Sequence, residues 1–160
     1  MLYIIEGPDK CGKSTFISKQ GIDSWYEGLD DIRDRLEFAS GKVCVHFDAN
    51  DKDPVESLKY CASLSVVMDV YMDRSWISEV VYGNVYRGGH KFSPTQITEI
   101  RALMMSTPHI VYYFDHQIAE NDESDIYEQD YDKVLEVKRM YDWVMFDFQD
   151  VLNIYRVRVI

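Results

Sequence analysis

The chain has little that would hold a polyanion, cross a membrane or lock itself with disulfides. Of its 160 residues 17 are Lys or Arg and 28 are Asp or Glu, a net charge of −11. Most of its surface therefore repels DNA and RNA, which makes a nucleic-acid partner unfavourable, and any phosphate ligand needs a local basic pocket. Cysteine is scarce: Cys11, Cys44 and Cys61 form no CxxC pair and no zinc-type spacing. An odd number cannot all pair within one chain, so reduced thiols in a cytoplasm are expected. Long apolar runs are missing too. Ser65-Val66-Val67-Met68 is broken at once by Asp69, and Met1 to Ile5 carries no basic flank, so neither a membrane span nor a signal peptide is expected. With no repeat, low-complexity tract or dividing linker, residues 1–160 fit a single domain with one site.

What is present is alternation. Leu2 to Ile5 is a β-type run, the segment from Gly7 to Gly12 follows, and Lys13 to Lys19 reads as helix. Val43 to Phe47 is again β-favouring, and Pro54 to Tyr60 opens as a helix with Asp53 as N-cap and proline at the first turn. Val66 to Tyr71 reads as a strand, followed by a helix from Trp76 whose apolar residues 77, 80, 81 and 85 recur at helical spacing. Ser93-Pro94-Thr95-Gln96 is a capping box that starts a helix carrying Ile97, Ile100, Leu103 and Met104, and Pro108 ends it. His109 to Phe114 is a buried-type strand. Val134, Val137, Tyr141, Val144 and Phe148 mark one face of a late helix, and Leu152 to Val159 reads as an edge strand because Arg156 and Arg158 alternate with apolar residues. This pattern predicts an α/β fold, a parallel sheet flanked by helices on both faces, with ligands at the carboxyl ends of the strands. Two segments read as mobile, Arg87 to Lys91 and the acidic stretch from Glu120 to Asp132.

Gly7-Pro8-Asp9-Lys10-Cys11-Gly12-Lys13-Ser14 fits G-x-x-x-x-G-K-[ST] at every fixed position, between a strand and a helix. In such a phosphate loop (P-loop), backbone N–H groups wrap phosphate oxygens and the two glycines give the backbone room. Lys13 then reaches the β- and γ-phosphates of ATP, the Ser14 hydroxyl ligates Mg²⁺ and Thr15 touches the α-phosphate. Cys11 occupies a variable position and is read as a small filler within the ATP-binding loop. Asp73-Arg74-Ser75 follows a strand and so faces the same crevice. Asp73 suits magnesium, held through water, or an acceptor proton, and Arg74 suits a second phosphate. Arg74, Ser78 and Tyr82 are spaced i, i+4, i+8 and project along one helix face.

Here the sequence resembles the thymidylate kinases. Ile5-Glu6-Gly7-Pro8-Asp9-Lys10-Cys11-Gly12-Lys13-Ser14-Thr15 is similar to that family's loop. Asp73-Arg74-Ser75-Trp76-Ile77-Ser78-Glu79-Val80-Val81-Tyr82-Gly83 with Arg87-Gly88 follows its Asp-Arg motif in register, and Asp125 to Val134 resembles the start of its last long helix. The resemblance implies transfer of the γ-phosphoryl of ATP to a deoxynucleoside monophosphate. It implies that Asp9 contacts the acceptor's 3′-hydroxyl, Arg74 its phosphate, and Tyr82 crowds the 2′ position. It also implies that a basic residue in the loop, here Lys10, serves the transferring group, since His116 to Asp132 contains no Lys or Arg. Arg87 aligns with a family arginine beside a Gly-rich turn and otherwise reads as a helix C-terminal cation.

Two departures stand out. The family's base-stacking Phe and nearby Arg have no counterpart on the helix from Pro54 to Leu64, and the short acidic lid leaves either an open site or one completed by a second subunit in a homodimer. Glu79 reads first as a solvated helix residue. If it does face the base, a carboxylate favours an edge with adjacent N–H donors, such as guanine. The four histidines show no spacing suggestive of catalysis, and Asp48 reads as a strand-end carboxylate. The small size suggests a minimal, phage-encoded economy. Rival readings are a deoxynucleoside kinase with Asp48 as base, an ATP-dependent switch or assembly protein, and a kinase of DNA ends, which the net charge disfavours.

Overall fold

The structure is a computed structural model and describes residues 1–37, 41–48, 51–116 and 131–159. Strand β1 (Leu2–Glu6) leads through the phosphate loop into α1 (Lys13–Ser18). Then come β2 (Ser24–Glu27), α2 (Gly28–Arg35), β3 (Lys42–His46), α3 (Pro54–Leu64), β4 (Asp69–Asp73), α4 (Trp76–Tyr86) and α5 (Pro94–Ser106). The chain closes with β5 (His109–His116), α6 (Tyr131–Asp147) and β6 (Ile154–Val159). All five strand pairings are parallel, in the order β2-β3-β4-β1-β5-β6. The expected α/β architecture is therefore present, and β6 is the arginine-bearing edge that alternation predicted.

Helices lie on both faces, but unevenly. One face of the sheet packs with α2 to α6 into the main core, where Leu2, Ile4, Val70, Met72, Ile77 and Tyr141 are fully buried or nearly so. The other carries a smaller cluster of Ile5, Ile17, Cys44, Tyr71 and Phe114 beneath α1. On that side Tyr3 stacks on Tyr71 with ring centroids 4.5 Å apart, and Phe16 of α1 lies 4.8 Å from Tyr112. Both predicted caps are present: Asp53 accepts from Glu56 N at 3.1 Å, and Ser93 with Gln96 forms the capping box.

Two expectations are corrected. The strand read from Val66 begins instead at Asp69, because α3 continues to Leu64 and Ser65 to Val67 form a turn. The chain's amino group clasps that turn, donating to Ser65 O at 2.9 Å and Met68 O at 3.2 Å, and leaves both valines exposed. The second correction is that β2 and α2 exist at all. Only Tyr26 of β2 and Ile32 of α2 are buried, so neither element carries a hydrophobic period long enough to read. The acidic stretch from Glu120 and the family-like segment from Asp125 lie largely outside the described residues.

The register predicts a sharp contrast in stability. Met72→Ala, at a fully buried position of β4, should cost about 2–5 kcal/mol in chemical denaturation. Val67→Lys, in the exposed turn, should change stability by no more than about 0.5 kcal/mol. A comparable loss at both positions would place Val67 in the sheet.

Candidate active site

The loop leaves β1 by two turns that only glycine makes easily. A Cβ on Gly7, whose φ is +148°, would lie 2.7 Å from the Phe114 carbonyl oxygen. Gly12 caps α1 in left-handed backbone at φ 95°. Within the loop Lys10 also adopts positive φ, 57°, and its side chain is exposed. Lys13 is folded back and buried: its ammonium donates to Gly7 O at 2.9 Å and Pro8 O at 2.7 Å, and lies 3.4 Å from Cys11 Sγ. Cys11 is fully buried beside Ile5, Ile17 and Phe114, and burial pushes its thiol up, as befits a filler. Ser14 and Thr15 are exposed at the start of α1.

Parallel pairing brings the second motif to the same edge. Ile5 of β1 pairs with Asp73 of β4, and Asp73 with His46 of β3. Arg74 then turns sharply, with φ 70° and its N–H on Ile5 O at 3.0 Å. Its Nη1 donates to Ser78 Oγ at 3.2 Å and to Tyr141 OH at 3.3 Å, and its Nη2 forms an ion pair with Asp9. The guanidinium lies 5.3 Å from the Tyr82 ring centroid, a cation–π contact. Ser78 and Tyr82 share a face of α4 as their spacing predicts, but Arg74, expected on the same face, lies before the helix in a left-handed turn and reaches them through its side chain, where Asp9 joins them across the cleft. Burial works against the Arg74 charge, and Tyr141, Tyr82, Glu6 and Asp9 outweigh it. Burial also pushes the Tyr82 phenol up to about 12.

Beneath Arg74 lies a group that sequence reasoning missed. Glu6, the last residue of β1, is fully buried and accepts five hydrogen bonds, from Ser75 N and Oγ, Ser78 N and Oγ, and Tyr141 OH, at 2.7 to 3.2 Å. Burial pushes its carboxyl up, while Arg74 and the two serine hydroxyls pull it down. A carboxylate closing an otherwise apolar strand was the available signal. Tyr141 gave none, because its apolar ring fits the core face of α6.

Asp73 has a partner as well. Its Oδ2 lies 2.9 Å from His46 Nδ1, a meeting that the spacing of the histidines did not suggest. That hydrogen bond to Asp73 raises the imidazole above its ordinary value. A cleft of about 460 Å³ is lined by loop residues 9–15 together with His46, Asp73 and Arg74. Among the described residues no cluster of three or more metal-ligating side chains occurs. Ser14 and Asp73 nevertheless line one cleft, which fits an ion whose other ligands are phosphate oxygens and water.

Glu79 is not the solvated residue expected of an amphipathic helix. It is 2% exposed and receives Arg87 Nη2 on both oxygens, at 2.5 and 2.6 Å, with Lys91 Nζ 3.6 Å away. Gly83, one turn along, makes this possible: a Cβ there would sit 2.7 Å from Glu79 Oε2 and 2.9 Å from His90 Cα. The segment from Arg87 to Lys91, expected to be mobile, is pinned. Gly89 N reaches Gly83 O at 3.0 Å, His90 N reaches Asn84 Oδ1 at 3.2 Å, and the Lys91 ammonium bonds to Asp51 O.

No protein-family model matches the sequence, and no curated protein matches it. Among solved structures the chain is similar to the YorR protein of Bacillus subtilis in complex with phosphorylated GDP, with TM-score 0.63 and 18% identity over 99% of this chain and 85% of that one. A thymidylate kinase from Ehrlichia chaffeensis aligns at TM-score 0.49 and 15% identity, over 99% of this chain and 88% of that chain. A deoxyadenosine kinase from M. mycoides with bound dCTP aligns at TM-score 0.49 and 14%, over 99% and 90%. The first likeness shows the fold, a parallel sheet flanked by helices along nearly the whole chain. No helix among the described residues is long and apolar enough to cross a membrane.

Two measurements check this geometry. In the protein free of nucleotide and metal, His46 should titrate above 6.5 by NMR, and Asp73→Asn should bring it down. The sign follows from the raised value: the pair's stabilisation is complete below the unfolded histidine's pKa and fades as pH climbs through the folded one. Gly83→Ala should destabilise the fold by about 1–3 kcal/mol through overpacking, despite alanine's better helix propensity. A stabilised variant would mean that Glu79, Gly83 and His90 do not crowd one another.

Proposed function

We propose that the chain is an ATP-dependent nucleotide kinase that moves the γ-phosphoryl group of ATP onto a deoxynucleoside monophosphate. The observation that carries this reading is the meeting of two anion-binding elements in one cleft, the loop from Asp9 to Thr15 and the Asp73-Arg74 turn. One element suits the donor's phosphates and the other the acceptor's. The fold likeness to a protein solved with phosphorylated GDP supports a nucleotide ligand.

The residues then divide the work. Lys13, now on the loop's own carbonyls, turns to the β- and γ-phosphates, and exposed Lys10 offsets charge on the transferring group. A magnesium ion would be held by Ser14 and, through water, by Asp73, and supplies charge neutralisation at the phosphate oxygens. Arg74 exchanges Asp9 for the acceptor phosphate, which frees the Asp9 carboxylate to accept from a 3′-hydroxyl. Tyr82, whose ring lies 5.3 Å from the guanidinium, would then crowd the 2′ position of the acceptor sugar. No covalent intermediate is needed, because positioning and electrostatics carry phosphoryl transfer.

One observation favours a second reading, a deoxynucleoside kinase. Arg74 already has a carboxylate partner in Asp9, and the Asp73 carboxylate, bonded to His46 in the same cleft, could serve as base for a hydroxyl acceptor. A screen of natural nucleosides and monophosphates with ATP and magnesium separates the two, and turnover of nucleosides alone would overturn the first.

Three substitutions sharpen the test. Lys13→Ala should abolish transfer in a folded protein, and activity within about tenfold of wild type would sink the assignment. Lys10→Ala should lower kcat by about 10²-fold with little change in acceptor KM. Arg74→Ala should raise KM for a monophosphate by about 10- to 100-fold, the worth of a charge-assisted hydrogen bond, and move KM for a nucleoside far less.

A further inference from the structure

We propose that Glu6 is a positioning residue for the acceptor side of the site: it orients the Ser78 and Tyr141 hydroxyls so that both present lone pairs to Arg74. The link to an acceptor phosphate rests on the function proposed above, whereas the orientation of Arg74 does not.

The argument is a count of protons. A serine or tyrosine hydroxyl has one hydrogen to donate, and an ionised carboxylate only accepts. Ser78 Oγ lies 2.7 Å from Glu6 Oε1, and Tyr141 OH lies 3.2 Å from the same oxygen. Glu6 takes both hydrogens. Each hydroxyl therefore turns a lone pair elsewhere, and each has Arg74 Nη1 at hydrogen-bond distance, 3.2 Å from Ser78 and 3.3 Å from Tyr141. The two hydroxyls are themselves 3.3 Å apart, so without Glu6 one would donate to the other and turn its hydrogen away from the carboxylate position.

The other oxygen of Glu6 does a matching task on the backbone. Oε2 accepts from Ser75 N at 3.1 Å, Ser75 Oγ at 2.9 Å and Ser78 N at 2.9 Å, which fixes the first turn of α4 directly after the left-handed Arg74. Glu6 is also joined covalently to Gly7, where the phosphate loop begins. One carboxylate thus references the donor loop, the start of α4 and, through Tyr141, helix α6 to a single point. Arg74 is held on that reference by Nη1 and keeps Nη2, the nitrogen now on Asp9, for exchange with a ligand.

Gln at position 6 keeps the shape but offers one accepting oxygen and an NH₂ group. It cannot take hydrogens on both sides, so either α4's N–H groups or the two hydroxyls lose their acceptor. The test uses Glu6→Gln and Tyr141→Phe in the full chain, with Ser78→Ala as a third variant should Glu6→Gln fail to fold. The ¹⁵N–¹H spectrum of the Arg74 guanidinium, assigned by its loss in Arg74→Lys, should show hindered Nη rotation in wild type and faster rotation in each variant. Steady-state kinetics should show acceptor KM raised about tenfold in Glu6→Gln and about threefold in Tyr141→Phe, with KM for ATP changed less than about twofold. Arg74 signals unchanged in the variants overturn the proposal. A rise in KM for ATP with acceptor KM unmoved overturns it too, because it assigns Glu6 to the loop alone. If the wild type turns over no acceptor, the proposed function falls, and the Arg74 spectrum alone decides the role of Glu6.

Discussion

Strand β1 is paired on both edges, to β4 and to β5, and covered on both faces, so whatever follows it must leave the core at its carboxyl end. Everything chemical in the molecule follows from that confinement. Leu2, Ile4 and Ile5 are fully buried, and the chain must then escape within a few residues past the Phe114 carbonyl, where only a glycine fits. Because every strand runs the same way, β3 and β4 release His46, Asp73 and Arg74 beside that exit. The cleft is the common mouth of three neighbouring strands, and its contents are set by what each strand carries at its last residues.

Around that mouth the cations are few, and apart from exposed Lys10 each rests on a partner. Lys13 rests on loop carbonyls, Arg74 on Asp9 and the two hydroxyls, and Arg87 on Glu79. In a chain of net charge −11 a free cluster of cations would draw in the protein's own acidic surface. Internal partners keep the site's charge in place and set a selection rule, since a ligand must outbid a carbonyl or a carboxylate. Strain accompanies this order. Among the described residues Lys10 and Arg74 are the two non-glycine residues with positive φ, each costing about 1–2 kcal/mol, and both line the cleft.

The parts of this arrangement that lie close together in the sequence were legible there. The loop is one contiguous motif, and Ser78 and Tyr82 share a face of α4 that spacing reveals without a structure, whereas Arg74 precedes that helix in a left-handed turn. Features that depend on chain crossings were not. Glu6 meets Ser75 and Ser78 across the sheet, and His46 meets Asp73 through strand register. No local period reports such meetings. The opposite error occurred at Val66 and Val67, where β-type composition sits in an exposed turn held by the chain's amino group. Strand β2 with helix α2 escaped notice because an edge element needs only one or two buried side chains.

The bond between Tyr141 and Glu6 also joins residues 135 positions apart. A ribosome delivers Glu6 and the loop that follows it well before the hydroxyl on α6 that supports Arg74. Closing so long a loop is slow, and partly made chains fold from their amino-terminal side. The loop from Gly7 to Gly12 can therefore take shape on a nascent chain well before Arg74 is seated. The Arg74 side of the cleft is then completed by the docking of Tyr141, after its loop side has formed.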